Sequence, residues 1–439
     1  MPLKGQDKKD KGRKQKHKKT RKKKKRIFQM KTSIITVSNS EIISSEKNNC
    51  IKLIASQMYK NGFDVVLNQT LKCKSEVVSN SFKEALNLSD CVVFICDNEF
   101  ERSYMCKKII CDTLQTKLVV NEYAKKNIEE FSRVSNTPIK KEDNSFFQLP
   151  EVARCIKNPK SAFQGFLIEK DGKYIFFLPL FYNELHHMFF TSVLPYILQK
   201  AKGKINTSYV FKTFGLKLGE MYLLLKDLIK NKHNIDIVCN EYLLEGEILV
   251  NVPSNSKKEI VDNIIQNLYS KILPYVYSDT DTSFAEKIED ILSITNKKLV
   301  FAEDFTAGKM INTFYETLPK AKELLVEGYF TPTNFSKMKI LGVEQSVFKK
   351  SIIDTEEIAY QMALGALENS GADIVVSNTG DLENGELVFA IGSSEGIHIF
   401  NQKVEGSYEQ KINTATNSIF FQLIKKISKN DFHINQATV

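Results

Sequence analysis

The stretch DCVVFI at 90–95 is apolar at every position after its aspartate. A strand with one wet face alternates apolar and polar side chains. An unbroken run reads instead as a strand buried on both faces, as in a parallel sheet covered by helices on either side. The neighbouring pattern agrees. From Met30, TSIITV reads as a strand and 46–60 as a helix, with Cys50, Ile51, Ile54 and Met58 on one side. FDVVL is a strand, 75–87 a helix, and helices follow at about 103–114 and 121–132. A polar stretch then crosses to GKYIFFLPLF and a helix over 186–201. Such alternation predicts an α/β unit with a largely parallel sheet.

Two more units follow. The second reads strand 208–214, helix 216–231, strands 235–240 and 246–252, and helix 256–272, a small α+β module. Residues 281–293 read as a linking helix. The third has a strand at 298–302, helices at 307–317, 334–341 and 355–369, strands at 373–377, 386–391 and 397–402, and a helix at 408–427. The expected fold class is therefore α/β: two three-layer αβα domains with mainly parallel sheets, joined by a small α+β module. The expected boundaries are a tail at 1–29, a first domain at 30–203, the module at 204–280, a linking helix at 281–297 and a last domain at 298–439.

Net charge is informative only when split. Residues 1–29 hold 12 Lys, 3 Arg and 2 Asp, a charge of +13, against +10 for the whole chain, so the remainder carries −3. The tail has too little apolar surface to fold and is expected to be disordered. Its functional reading is an arm that binds polyanions weakly, with steep salt dependence from counterion release. Met30, opening MKTSIITVSNSE, is also a natural initiator, so the start is open between Met1 and Met30, and with it whether the tail is a working arm or dispensable.

The longest apolar runs, such as IFFLPLFY at 175–182, are too short to span a bilayer, and the charged N-terminus carries no apolar signal region. Eight cysteines occur without a CxxC pair, which reads as reduced core thiols in a cytoplasmic protein.

In LVFAEDFTAGKM at 299–310, an apolar strand runs into the small-residue turn Thr306-Ala307-Gly308, which opens a helix. Strand, turn and helix N-terminus make a phosphate site, where helix amides hold an anion. Asp304 places a carboxylate in that site.

From Met30 to about Lys426 the order of units resembles the CinA family of competence/damage-inducible proteins. LVFAEDFTAG resembles that family's AEScTGG, and EGYFTPTNFSKMKILGV resembles GGVVaYSNEaKirLLGV. IIDTEEIAYQMALGALENSGADIVVSNTG resembles gaVSeevAraMAegaleltgADialavTG, with Lys339 to Val343 and Gly371-Ala372-Asp373…Thr379-Gly380 fitting well. At the start, strand-GTELL-helix and GIDV align with MKTSIITVSNSEII and KNGFDVV. The resemblance implies a molybdopterin-binding-like first domain, a KH-like module, a C-terminal nicotinamide mononucleotide amidase-like domain, and a homodimer.

The resemblance fails at the reacting groups. The family's proposed nucleophile is the serine of AEScTGG, which falls at Asp304. A hydroxyl attacks an amide once a base takes its proton, whereas a carboxylate must pass through an anhydride. The tyrosine of YSN is Pro332, and the arginine of the C-terminal Gly-Asp-Arg is Tyr408. The glycine-rich loop after Thr-Gly is shortened to DLENGE. Thr306, Gly308, Asn334, Lys337, Thr379 and Gly380 survive as phosphate- or nucleotide-binding candidates, Lys337 being the retained candidate for catalysis.

In the first domain FICDNEFERSYM replaces TTGGLGPTKDD: its glycines fall at Cys96, Asp97 and Glu99, its terminal acids at Ser103 and Tyr104. The Asp of VGDN falls at Cys73, and the PGPPSEM loop keeps only Pro179 and Glu184. Asp97, Glu99 and Glu101 form a new acidic cluster, the weak candidate for a divalent metal if this domain is active. His186 and His187, adjacent on a helix, point apart and make poor joint ligands.

The leading expectation is a CinA-like protein degenerate in both sites, acting as a cytoplasmic binding or scaffold protein. The alternative is an amidohydrolase of nicotinamide mononucleotide, or an ADP-ribose pyrophosphatase, with a rearranged site and a small nucleotide as ligand. A third is polyanion binding driven by the tail.

Overall fold

The computed structural model describes residues 30–38, 45–97, 99–136, 138, 146–201, 205–230, 235–349 and 355–428. The expectations for residues 1–29 lie outside them. Among the described residues the first unit runs β1 (Lys31–Val37), α1 (Ser45–Lys60), β2 (Asp64–Leu71), α2 (Ser75–Leu88), β3 (Cys91–Cys96) and α3 (Phe100–Leu114). It continues with β4 (Leu118–Val120), α4 (Glu122–Ser135), β5 (Gln148–Pro150), β6 (Arg154–Ile156), β7 (Gly165–Lys170) and β8 (Lys173–Pro179). Helices α5 (Tyr182–Met188) and α6 (Leu194–Lys200) close it, joined by a π-helical turn at Phe189–Val193.

The sheet order is β2-β1-β3-β8-β7-β6, parallel from β2 to β8 and antiparallel at β7 and β6. β3 is central and buried at every residue, as its unbroken apolar run requires. Ile34, Val93 and Phe176 face a core that includes Met58, Leu185 and Ile197. Ile35, Phe94 and Phe177 face the opposite core, with Phe82, Ile110 and Ala124. Period-two alternation thus feeds two helical layers, giving three layers in all.

The middle unit comprises β9 (Thr207–Phe214), α7 (Leu218–Ile229), β10 (Asp236–Tyr242), β11 (Glu245–Val252), α8 (Lys258–Ile272) and β12 (Val276–Ser278). Its sheet, β10-β11-β9-β12, is antiparallel. Lys60 joins it to the first unit through Glu247 at 2.8 Å and Asp281 at 2.7 Å. Phe214 and Tyr277 join it to the last unit by packing against Phe284 and Phe421.

The last unit comprises α9 (Phe284–Thr295), β13 (Leu299–Glu303), α10 (Lys309–Thr317), α11 (Ala321–Leu324), β14 (Leu325–Phe330), α12 (Asn334–Leu341), α13 (Gln345–Phe348) and α14 (Thr355–Ser370). Strands β15 (Ile374–Asp381), β16 (Glu386–Ser393) and β17 (Gly396–Lys403) and helix α15 (Tyr408–Ser428) complete it. β14, β13 and β15 are parallel, and β16 and β17 antiparallel beyond them. One core unites α9, α10 and α15, and the other α12 and α14, so this unit is also three-layered. No helix among the described residues is long and apolar enough to cross a membrane.

One contact fixes the wall of the site described next. A Cβ on Gly365 of α14 would lie 1.9 Å from the Leu341 carbonyl oxygen of α12. Backbone cannot yield as a flexible side chain does. Gly365→Ala is therefore expected to destabilise the fold by roughly 1–3 kcal/mol, read as a lower urea midpoint. An unchanged midpoint would contradict this close approach.

Candidate functional site

An open cleft of about 1070 Å³ lies at the carboxyl ends of β13 and β15, where ligands bind in open α/β sheets. Asp304 follows β13 directly. Thr379 and Gly380 lie on β15 just past Ser377, where its parallel pairing with β13 ends. Pro332 and Asn334 lead into α12, where Thr333 caps the helix and Ser336 completes the capping box. Lys337 stands one turn into that helix and is 4% exposed.

These groups bind one another. Lys337 Nζ lies 2.6 Å from Asp304 Oδ2, and the Thr379 hydroxyl donates to the same oxygen at 2.8 Å. The position where the resemblance places a reacting hydroxyl thus carries a carboxylate ion-paired with the surviving lysine. The cleft is also acidic: Asp304, Glu356, Asp381 and Glu386 line it against Lys337 and Lys403. The Asn384 backbone N–H holds the Asp381 carboxyl below its usual range.

Of the sequence candidates, Asn334, Lys337, Thr379 and Gly380 line the cleft with Asp304; Thr306 and Gly308 do not. Thr306 is fully buried and donates its hydroxyl to Glu303 Oε2 at 2.6 Å. The first amides of α10 do the same: Met310 N–H reaches Glu303 Oε2 at 3.0 Å and Ile311 N–H reaches Oε1 at 2.8 Å. The helix N-terminus therefore holds an anion, and that anion is the protein's own Glu303. Burial pushes the Glu303 carboxyl up, opposed by hydrogen bonds from Thr306 and from the amides of Ile311, Met310 and Gly308.

Gly380 (φ 142°) has a structural role as well, since a Cβ there would lie 2.0 Å from the Glu386 carbonyl oxygen. Tyr408, 58% exposed, packs beside Lys411 and does not line the cleft.

Sequence reasoning passed over Glu303 and Asn378. Buried Asn378 accepts from the Thr306 amide at 3.0 Å and donates to the Thr306 hydroxyl at 2.8 Å, joining β15 to the turn after β13. Both had a signal: a polar residue inside a fully buried apolar strand must be hydrogen-bonded.

In the first unit the acidic candidates do not converge. Asp97 Oδ1 pairs with Lys47 at 2.8 Å, while Oδ2 accepts from Ser38 at 2.9 Å and lies 3.7 Å from Arg102. Glu99 also pairs with Arg102, and Glu101 is exposed. Among the described residues no cluster of three His, Cys, Asp or Glu could hold a metal. A divalent ion therefore does not fit at Asp97, Glu99 and Glu101, because protein cations already hold the buried carboxylate. Glu184 accepts from Asn158 at 2.7 Å and Ser161 at 2.8 Å, and His186 packs on Phe190 at 4.6 Å.

The structure thus defines a three-layer α/β protein whose cleft lies at the carboxyl ends of parallel strands. Residues 281–427 match the model of the CinA C-terminal domain. A putative competence-damage inducible protein of Caldicellulosiruptor saccharolyticus is 25% identical over 354 residues, covering 80% of this chain and 86% of the relative. One of Clostridium botulinum is 26% identical over 361 residues with the same coverage. The crystal structure of a competence-damaged protein (CinA) superfamily protein from Escherichia coli is 26% identical, covers 34% of this chain and 92% of its own, and has a TM-score of 0.31. Residues 281–427 thus match the CinA C-terminal domain, and the chain as a whole is similar to competence-damage inducible proteins.

Proposed function

We propose that this CinA-like chain lacks amide-hydrolysing and pyrophosphate-cleaving chemistry and acts as a cytoplasmic binding or scaffold protein, working as a homodimer. One observation carries the reading: Asp304 stands in the nucleophile's place and is bonded to Lys337. A phosphate entering the cleft meets a lysine already neutralised and a surplus of carboxylates. The amides of α10 are taken by Glu303, so they offer no donors to a developing oxyanion. In the first unit Asp97 is likewise paired with Lys47.

A second reading rests on Thr379. Its hydroxyl donates to a carboxylate at 2.8 Å, the contact a base makes with a nucleophile. Against it, the accepting oxygen is the one held by Lys337.

Ammonia release from nicotinamide mononucleotide separates the two. The wild-type protein is expected to release none above background, and Asp304→Ser alone to restore little, because Pro332 and Tyr408 also replace family groups. Wild-type turnover lost in both Thr379→Val and Asp304→Ala would establish the second reading.

A further inference from the structure

The two edges of the last unit's sheet are unlike. β14 has six residues, a register shift against β13, and Glu327 exposed. Short length, an irregular register and a charge all keep an edge strand from pairing with another chain. β17 lacks these devices. It runs eight residues, pairs with β16 without a shift, and carries no proline. Lys403, its last residue, is its only lysine, arginine or carboxylate. Ile399, midway along it, is 37% exposed. Among the described residues no strand pairs with its outer side. A long apolar strand with open N–H and C=O groups is a template for another strand.

The chain's own β17 is complementary to that edge. Ile397 packs toward the core of α12 and α14, whereas Phe400 packs toward that of α15. Helices thus cover both faces of the strand, and a partner must lie alongside it. Two identical strands pair antiparallel about a two-fold axis perpendicular to the sheet. That axis keeps every side chain on its own face, so each residue meets one an even number of positions away. Centred on Ile399, the register sets Ile399 against Ile399, Ile397 against Asn401, and Glu395 against Lys403. Glu395 and Lys403 are both exposed, and within its own chain Lys403 meets Glu386 only at 3.7 Å. Opposite charges therefore face each other twice across the axis, which favours this register.

We propose that β17 pairs with β17 of a second copy, joining two five-stranded sheets into one. Glu395 of the second copy then meets Lys403 at the rim of the cleft. Lys403 lines that cleft with Lys337. The pairing neutralises Lys403 much as Asp304 neutralises Lys337. This inference rests on the homodimer reading above and assigns its interface.

Light scattering coupled to gel filtration of the full chain gives the first test. Wild type is expected as a dimer, and Ile399→Lys as a monomer with unchanged circular dichroism. Val326→Lys alters the exposed side of β14 and should remain a dimer. The second test is cross-linking with a short bis-methanethiosulfonate, followed by peptide mapping. Ile399→Cys should link the two chains at position 399. Asn401→Cys should not link at position 401, because its two copies lie about 13 Å apart along the strands. A monomeric wild type would overturn the proposal together with the homodimer. A dimer that survives Ile399→Lys, is broken by Val326→Lys, or gives no link at position 399 would overturn the β17 interface and leave the homodimer standing.

Discussion

Lys107→Met is expected to stabilise the protein at neutral pH. Lys107 lies inside the first unit, 1% exposed, on the buried side of α3. Its ammonium donates to the Gln148 carbonyl at 3.2 Å and lies 5.9 Å from the Phe146 ring and 6.0 Å from Phe163. Burial lowers its pKa from 10.5 to about 8. Holding the charge there costs roughly 3 kcal/mol, at 1.36 kcal/mol per unit. Methionine leaves the Gln148 carbonyl without this donor, at about 1 kcal/mol, so a net gain of roughly 2 kcal/mol is expected.

The pH dependence has a definite sign. Between about 8 and 10.5 the unfolded chain keeps the lysine proton while the folded chain releases it. Stability therefore rises with pH through that window, relative to a chain without the group. Urea unfolding of wild type and Lys107→Met at several pH values reads this directly. The gap should be widest near neutrality and close as pH rises. A methionine variant less stable at every pH would show that the amine's contacts outweigh its desolvation.

Glu303→Ala should produce the largest loss. Glu303 is fully buried and accepts the Thr306 hydroxyl and the first amides of α10. Alanine leaves those donors unmet and opens a void between β13 and α10. Leaving buried donors without an acceptor costs about 1–3 kcal/mol for each. Glu303→Gln should fall between, since its carbonyl oxygen accepts some of these bonds while its amide faces donors. Chemical denaturation measures both; an alanine variant as stable as wild type would mean that water or another group replaces the carboxylate.

The layers were legible where pattern and length agreed. CVVFIC and LVFA are apolar throughout because helices cover both faces of β3 and β13. The helix expected at 334–341 is α12, set by the Thr333 cap and by Gly342 in the left-handed region at its end. Other elements gave weaker signals. β14 lies at the sheet edge with Glu327 and Gly328 exposed, so its sequence does not read as a core strand. β4, β5 and β6 have three residues each, too few for a period to register. The helix expected at 186–201 begins at Tyr182 and passes through a π-helical turn before α6, whose Pro195 sits in its first turn.

The site was half legible. The loss of the family hydroxyl at Asp304 can be read from the sequence alone. Its partner cannot, because Lys337 is 33 positions away and meets it only through the packing of α12 on the sheet. The turn Thr306-Ala307-Gly308 looked like an anion site and is one, but the anion is the adjacent Glu303. Ala307 adopts a φ of 52° where the family has glycine, so the turn keeps its shape at some backbone strain.

The central claim is that Asp304 silences the cleft by holding Lys337. The most direct test is thermal unfolding of wild type and Asp304→Asn, each with and without nicotinamide mononucleotide. Removing the carboxylate frees the lysine and makes the cleft less negative, so the variant's Tm should rise with ligand by mass action while the wild-type Tm stays unmoved. A wild-type Tm that rises with ligand, and a rise that Asp304→Asn abolishes, would contradict the account and make Asp304 part of a working nucleotide site.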